Sequence, residues 1–230
     1  MKKRLWTCLV MAIVGTTFAT GSAMALPTLQ LFDGVTTVTV TDGGLGDANG
    51  VAGAVTYIGA VGAGVWTVNV STGLSDPVLG TPFAPHMDFS SVHSSTGAGT
   101  LQVLFSDDGF GPMPAGLTGF ATAVGGITHG TASFASYYDA TNALFGTATT
   151  LANLGPFGPG AFSGEAVSAA INPAAFPFSL TLEAILTHDG AEDSSFNLDL
   201  TPVPEPATMM LVGTGLAGLA GAARRRKKQA

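Results

Sequence analysis

Alternation of apolar and polar residues constrains the fold of the central part of this chain more than any other feature. In residues 178–182, and again in residues 196–200, apolar side chains occupy every second position. A period of two places successive side chains on opposite faces of a β-strand. Asp-Gly, Asn-Gly and Gly-Gly pairs separate such segments and are typical of tight turns. We therefore predict an all-β fold, a single β-sandwich or jelly-roll-like domain.

The predicted strands cover most of the central region. Two proline-rich patches, residues 77–85 and 156–159, are predicted to be loops because proline removes a donor from a sheet. A short helix is expected within residues 141–152. The predicted strands are residues 29–32, 35–41, 51–58, 65–70, 101–105, 117–124, 131–138, 161–168, 178–186 and 196–201.

Charged residues are segregated along the 230-residue chain. All eight Lys and Arg residues lie in residues 2–4 and 224–228, whereas fourteen of the fifteen Asp and Glu residues lie in residues 26–203. This central region therefore has a formal charge of −14, with histidine neutral. A domain without cations cannot neutralise phosphates, which argues against nucleic-acid binding and against attraction to anionic membrane surfaces.

The N-terminus has the layout of a secretory signal peptide. Basic residues 2–4 precede a short apolar run, residues 5–14, and the small residues Ala23 and Ala25 form an A-x-A cleavage site. The apolar run is too short for a permanent membrane anchor. We predict a signal helix over residues 1–25 that engages the secretion machinery and is removed by signal peptidase.

Removal of this segment would leave a mature protein that begins at Leu26. The segment contains Cys8, the only cysteine of the chain. The mature protein would therefore have no disulfide and no thiol nucleophile. We predict an exported passenger domain over residues 26–202.

The C-terminus consists of three parts. Pro204 and Pro206 flank a glutamate, and such a segment is expected to continue neither a strand nor a helix. The apolar residues 207–223 would span ~25 Å as a transmembrane helix, slightly less than a ~30 Å hydrocarbon core. A basic cluster then sets the topology, because positive residues stay cytoplasmic and leave everything before Pro204 outside. The two polar parts are Val203, Pro204, Glu205 and Pro206, and Arg224, Arg225, Arg226, Lys227 and Lys228.

This tripartite tail, residues 203–228, resembles the PEP-CTERM sorting signal of Gram-negative bacteria. The resemblance implies that a membrane-embedded exosortase recognises Pro204-Glu205-Pro206 and removes the tail. It implies an intermediate anchored in the inner membrane, followed by transfer to the cell surface or release outside the cell. It also implies an association with exopolysaccharide and biofilm. The alternative is a C-terminal membrane anchor that is never cut.

The passenger lacks the sequence motifs of the common hydrolases. It contains no G-x-S-x-G segment, and its histidines fall in no zinc-binding spacing. Glu165 and Glu183 lie in predicted strands and could form a glycosidase pair, although both also suit solvent-facing positions. We predict that the passenger is not an enzyme but a structural or adhesive surface or matrix protein. A secreted hydrolase is one alternative.

The acidic loops could bind calcium. No other cofactor is expected. Calcium takes six to eight oxygen ligands, often from flexible acidic loops. No EF-hand spacing is present, and solvated turn aspartates are the competing interpretation. A calcium-dependent carbohydrate-binding module is therefore the second functional hypothesis. Its candidate ligands are Asp42, Asp47, Asn49, Asp107 and Asp108.

Overall fold

A computed structural model describes residues 26–114, 116–172 and 175–204, together with residue 214. The predicted signal helix, with Ala23 and Ala25, lies outside the described residues. So do Glu205, Pro206, the basic cluster 224–228 and, apart from residue 214, the predicted transmembrane helix. Among the residues that are described, no helix is long and apolar enough to cross a membrane.

Fourteen β-strands make up the described part of the chain. Twelve of them form two antiparallel sheets, and β5 and β6 form a small separate ribbon. The strands are β1 Thr28–Phe32, β2 Thr37–Thr41, β3 Ala54–Ala60, β4 Trp66–Leu74, β5 Gly80–Thr81, β6 Ala84–Pro85, β7 Met87–Ser95, β8 Gly99–Phe110, β9 Leu117–Thr128, β10 Thr131–Asp139, β11 Thr149–Phe157, β12 Gly160–Val167, β13 Phe178–His188 and β14 Asp193–Pro204.

The two six-stranded sheets pack face to face, which confirms the predicted all-β sandwich. Sheet one has the order β11-β10-β13-β8-β1-β2, and sheet two has the order β12-β9-β14-β7-β4-β3. The alternating apolar residues of β13 and β14 point into the space between the sheets. Burying them removes apolar surface from water, the dominant favourable term in folding. The buried set on these two strands is Phe178, Leu180, Leu182, Ala184, Leu186, Phe196, Leu198 and Leu200.

The sheets approach each other closely where Phe105 of β8 faces Gly73 of β4. A Cβ atom added at Gly73 would lie 2.4 Å from the Phe105 ring, so only glycine leaves room for that ring. Farther along the interface, the rings of Phe134 and Phe196 meet edge to face at 5.0 Å between centroids. This offset geometry is favoured between aromatic rings. Direct contacts between side chains of both sheets thus fill the core.

A loop replaces the helix expected within residues 141–152. Asn142 and Phe145 have φ angles of 62° and 59°, which an α-helix does not accommodate. The loop lies over the outer face of sheet one, where the Phe145 N–H donates to Ser106 Oγ at 2.9 Å. The Ser179 hydroxyl donates to the carbonyl oxygen of Ala143 at 2.6 Å. The helix prediction is therefore wrong, and β11 begins at Thr149.

The sandwich has two distinct ends. At the end that we call the tail end, β14 finishes at Pro204 opposite Leu117 of β9, and β1 begins at Thr28 opposite Ser106 of β8. The opposite end, which we call the turn end, contains the turn of residues 189–192 between β13 and β14. The chain therefore enters and leaves the sandwich at the tail end.

Candidate functional site

The inward face of β7 changes from apolar to polar toward the turn end. Met87 and Phe89 belong to the hydrophobic core, whereas Ser91, His93 and Ser95 continue the same face and are equally buried. Buried polar groups are costly unless they are hydrogen-bonded. The buried polar side chains from Ser91 to Ser95 therefore need hydrogen-bond partners inside the sandwich.

His188, at the end of β13, is hydrogen-bonded through both ring nitrogens. Its Nδ1 lies 2.8 Å from Ser95 Oγ and its Nε2 lies 2.7 Å from Ser194 Oγ. Ser95 Oγ is also 2.8 Å from the carbonyl oxygen of Gly190, and Ser194 Oγ is 2.7 Å from Thr128 Oγ1. If the ring proton of His188 is placed on Nδ1, each hydrogen bond of the network has one donor and one acceptor. His188 then donates to Ser95, which donates to Gly190. Thr128 donates to Ser194, which donates to Nε2.

A groove of about 710 Å³ lies over this network at the turn end. Burial lowers the pKa of His188, an effect that the carboxylates of Glu192 and Asp193 partly offset. In the proton assignment above, the Ser95 hydroxyl proton points to a backbone carbonyl and His188 does not accept it. Ser95 is therefore not activated as a nucleophile in this arrangement. The groove is lined by Ser94, Ser95, His129, Ala191, Glu192 and Asp193.

His93 is fully buried on β7 of sheet two, the same strand that carries Ser95. Its Nε2 is 3.0 Å from Ser91 Oγ, and its ring stacks on Phe196 at 6.0 Å between centroids. Its Nδ1 is buried and has no hydrogen-bond partner among the described residues. Burial, with a smaller contribution from the nearby His188, lowers the pKa of His93 to about 3. His93 is therefore neutral in the folded protein.

Three of the predicted calcium ligands lie in the turn between β2 and β3, where their oxygens accept backbone hydrogen bonds. Asp42 Oδ2 accepts the N–H of Gly53 at 2.6 Å. Asn49 Oδ1 accepts the N–H of Val51 at 3.1 Å. The two carboxylate oxygens of Asp47 accept three N–H groups at 2.9 Å each, those of Gly43, Asn49 and Thr56. These side chains therefore hold the turn in shape.

The other two predicted ligands, Asp107 and Asp108, lie on β8 in a separate acidic cluster at the tail end. Asp107 is 1 % exposed, and its Oδ2 atom has no hydrogen-bond partner among the described residues. The same holds for Oγ of Ser75, which is fully buried and faces the Asp107 carboxyl group. Burial raises the pKa of Asp107 to about 7; the Ser75 hydroxyl and the Asp108 N–H partly oppose this rise, and the negative charges of Asp108 and Asp76 contribute to it.

The candidate acidic residues are thus distributed over several places. Within the described ranges, no three His, Cys, Asp or Glu side chains lie close enough together to hold a metal ion. Glu165 lies on the outer face of sheet two, whereas Glu183 lies on the outer face of sheet one. Glu183 accepts hydrogen bonds from Gln102 and Tyr137 at 2.5 and 2.7 Å. The structure does not bring the two glutamates together.

The first half of the predicted sorting motif lies inside the fold. Val203 and Pro204 are the last residues of β14 and pair with Gly119 and Leu117 of β9. The expectation that the proline segment cannot continue a strand is therefore wrong as far as Pro204. Beyond Leu200, β14 forms a ladder with β9 and not with β7, so the missing N–H of a proline can face the side from which β7 is absent.

The architecture defines a class of protein, a β-sandwich passenger that leads directly into a C-terminal sorting segment. Comparison with protein families identifies that segment: a PEP-CTERM protein-sorting motif matches residues 202–227. The match confirms the resemblance noted from the sequence and marks the chain as a substrate of an exosortase. Proteins with this motif are exported and sorted to the cell surface. No curated protein matches the chain.

Several of these groups could not be located from the sequence. Ser95 and His188 are 93 residues apart, and Ser75 and Asp107 are 32 residues apart. Neither pair has a spacing that indicates a contact. The sequence contains one indication of the buried histidine, the segment Ser91-Val92-His93-Ser94-Ser95. There, polar residues occupy the positions that continue the alternation of Met87 and Phe89. This pattern indicates a polar core only when β7 is already known to be a strand.

Proposed function

We propose that this protein acts at the cell surface as a structural or adhesive protein that associates with exopolysaccharide. The sorting motif brings it there, and the sandwich provides the contact surface. The observation that carries the proposal is the outer face of sheet two, formed by the outward residues of β12, β9, β14 and β7. Small side chains dominate that face.

Few long side chains project from this face. In register across three strands, Glu165, Ala123 and Asp199 lie side by side, and Asp88 follows on β7. Serine, threonine and asparagine side chains on the same face can exchange hydrogen bonds with sugar hydroxyl groups. The passenger has no Lys or Arg between residues 26 and 203, so an anionic polymer would be repelled. The expected partner is therefore a neutral polysaccharide.

A bulky charged side chain at the centre of this face tests the proposal. Ala123 is exposed between Glu165 and Asp199, so Ala123→Arg should fold normally and pair with either carboxylate. We expect this variant to lose about tenfold in affinity for exopolysaccharide isolated from the producing cells. The introduced arginine projects from the face and prevents close contact with the polymer. The measurement is co-sedimentation of the purified passenger with that polysaccharide.

The matched control places the same side chain on the opposite sheet. Thr39 is exposed on β2 in sheet one, and Thr39→Arg changes the net charge equally. We expect it to bind as the wild type does. Equal binding by Ala123→Arg and the wild type, or an equal loss in both variants, would contradict a role of this face.

A calcium-dependent carbohydrate-binding module is the second candidate, and Asp107 and Ser75 favour it. Asp107 Oδ2 and Ser75 Oγ are buried near each other, and the negative charges of Asp76 and Asp108 lie close to them at the tail end. A bound cation would satisfy oxygens of this kind. We expect millimolar calcium to raise the melting temperature of the passenger by several degrees at about pH 8, and Asp107→Asn to abolish that increase. Asp189→Asn, an exposed carboxylate at the turn end, is the control.

We do not extend the proposal to a secreted hydrolase. Ser95 and His188 are the side chains closest to that chemistry, and the proton assignment leaves Ser95 unactivated. An activity screen of the purified passenger on polysaccharides and esters examines this point. Activity that disappears in Ser95→Ala and persists in Ser94→Ala would favour the hydrolase instead.

A further inference from the structure

The last four residues of β14 are held more weakly than the rest of the strand. From Ser194 to Leu200, β14 pairs with β7 on one side and β9 on the other. Residues 201–204 pair with β9 alone. Leu198 and Leu200 are fully buried, whereas Thr201, Pro202 and Val203 are partly exposed and Pro204 is exposed. Local opening costs least where few buried contacts are lost, so residues 201–204 are where β14 can separate from the sheet.

The partner segment on β9 is firmly fixed. The Ser168 N–H donates to the carbonyl oxygen of Phe120 at 2.8 Å, and the Phe120 N–H donates to Ser168 Oγ at 2.9 Å. The Ile171 N–H donates to the carbonyl oxygen of Thr118 at 2.7 Å. Residues 117–120 are thus bonded on both sides. Separation at this place must come from β14 and not from β9.

This weakly held segment overlaps the sorting motif. The matched residues begin at Pro202, so three of them lie within β14. Only two residues, Glu205 and Pro206, separate Pro204 from the apolar stretch that begins at Ala207. Two extended residues span about 7 Å, which leaves almost no linker between the sandwich and a membrane-embedded enzyme.

We propose that the exosortase recognises this tail only after residues 201–204 have separated from β9, so that the last strand of the passenger regulates its own processing. The proposal rests on the sorting motif and adds a conformational step to it. Pairing with β9 occupies the backbone of Val203 and covers one side of Pro204. The same backbone must be free for an enzyme to bind the motif as an extended segment.

A disulfide across this part of the ladder tests the proposal. Val203 and Gly119 are directly opposite, and the mature chain predicted from the sequence has no other cysteine. A Cβ atom at Gly119 lies 3.1 Å from Ser168 Oγ, so the reduced form of the same variant is the reference for the oxidised form. In the full chain, expressed in cells with an exosortase, Val203→Cys with Gly119→Cys should be processed at least tenfold more slowly when oxidised. The same variant when reduced should recover, which separates the effect of the bond from that of the substitutions. Tail removal is followed by pulse labelling and intact mass.

A second disulfide on the same two strands is the matched control. Asn197 and Gly125 are also directly opposite, and a Cβ at Gly125 meets only one atom, at 3.9 Å. Oxidised Asn197→Cys with Gly125→Cys joins β14 to β9 where they should stay paired, and we expect processing at the wild-type rate. Inserting Gly-Ser-Gly-Ser between Pro202 and Val203 should increase the rate at least twofold.

The possible outcomes are distinct. Unchanged processing of the oxidised 119–203 variant overturns the conformational step and leaves the sorting function intact. Equal slowing by both disulfides also overturns it, because the effect would then be one of general rigidity. A wild-type chain that keeps its tail in cells with an active exosortase overturns the sorting function and the proposal together.

Discussion

His93 is fully buried against Phe196 and is neutral in the folded protein. In the unfolded chain its pKa returns to about 6.5. Between about pH 6.5 and about pH 3, the unfolded chain therefore binds a proton at His93 that the folded chain does not. The free energy of unfolding must decrease as the pH falls through this range. His93 thus contributes an acid sensitivity from inside the core.

Replacing His93 with leucine tests this sensitivity. At about pH 4.5, wild-type His93 should lower the free energy of unfolding by about 2–3 kcal/mol relative to pH 7.5, and His93→Leu should lack that decrease. Urea unfolding at the two pH values measures it. His129→Leu is the control, because its side chain is 59 % exposed. An equal pH dependence in His93→Leu and the wild type would show that His93 is not the cause.

At the scale of elements, the turn between β2 and β3 depends on one carboxylate. Asp47 accepts three backbone N–H groups, and without it these donors lose their partners. We expect Asp47→Ala to reduce the free energy of unfolding by about 2–3 kcal/mol, since charged acceptors make strong hydrogen bonds. Hydrogen exchange at Thr56 should become faster at the same time. Asp189→Ala, on an exposed turn, should change neither quantity.

The strands that the sequence predicts are those whose buried faces are apolar. From Phe178 to Leu186 in β13 and from Phe196 to Leu200 in β14, every second residue is apolar and buried, so the pattern and the structure coincide. In β7, the inward residues from Ser91 to Ser95 are polar, and the alternation is not recognisable. β11 contains a Gly-Pro pair that indicates a loop. Both strands were therefore missed, although β7 supplies Ser91, His93 and Ser95 to the histidine networks.

The candidate sites were predictable in part for the same reason. The sorting tail is continuous in sequence, so its order of parts identifies it, and the family match confirms it. The acidic loops could be located, but not the hydrogen bonds that occupy Asp42 and Asp47. Contacts such as Ser95 with His188 depend on the order of strands within the sheets. A single sequence without a known strand order does not contain that information.

At the scale of the whole molecule, the distance between the sheets is set locally by the contact of Gly73 with Phe105. Gly73→Ala places a Cβ atom within 2.4 Å of the Phe105 ring and should destabilise the protein by about 3 kcal/mol. In the double variant with Phe105→Leu, we expect the loss to be smaller than the sum of the two single losses. Thermal and urea unfolding measure these differences.

Gly125→Ala is the matched control for that prediction, because its Cβ atom meets only one neighbour, at 3.9 Å. It should change the free energy of unfolding by less than about 1 kcal/mol. Additive losses in the double variant would mean that Gly73 and Phe105 are not coupled and that the sheets can shift to accept the extra methyl group.

The strand β14 connects the two ends of the sandwich. Its twelve residues extend for about 36–40 Å at 3.3 Å per residue. Whatever is attached after Pro204 therefore lies at the end of the sandwich opposite to the turn of residues 189–192. A partner that approaches the free end meets the turn end with its exposed Asp189, whereas Asp107 is buried at the end where the tail is attached.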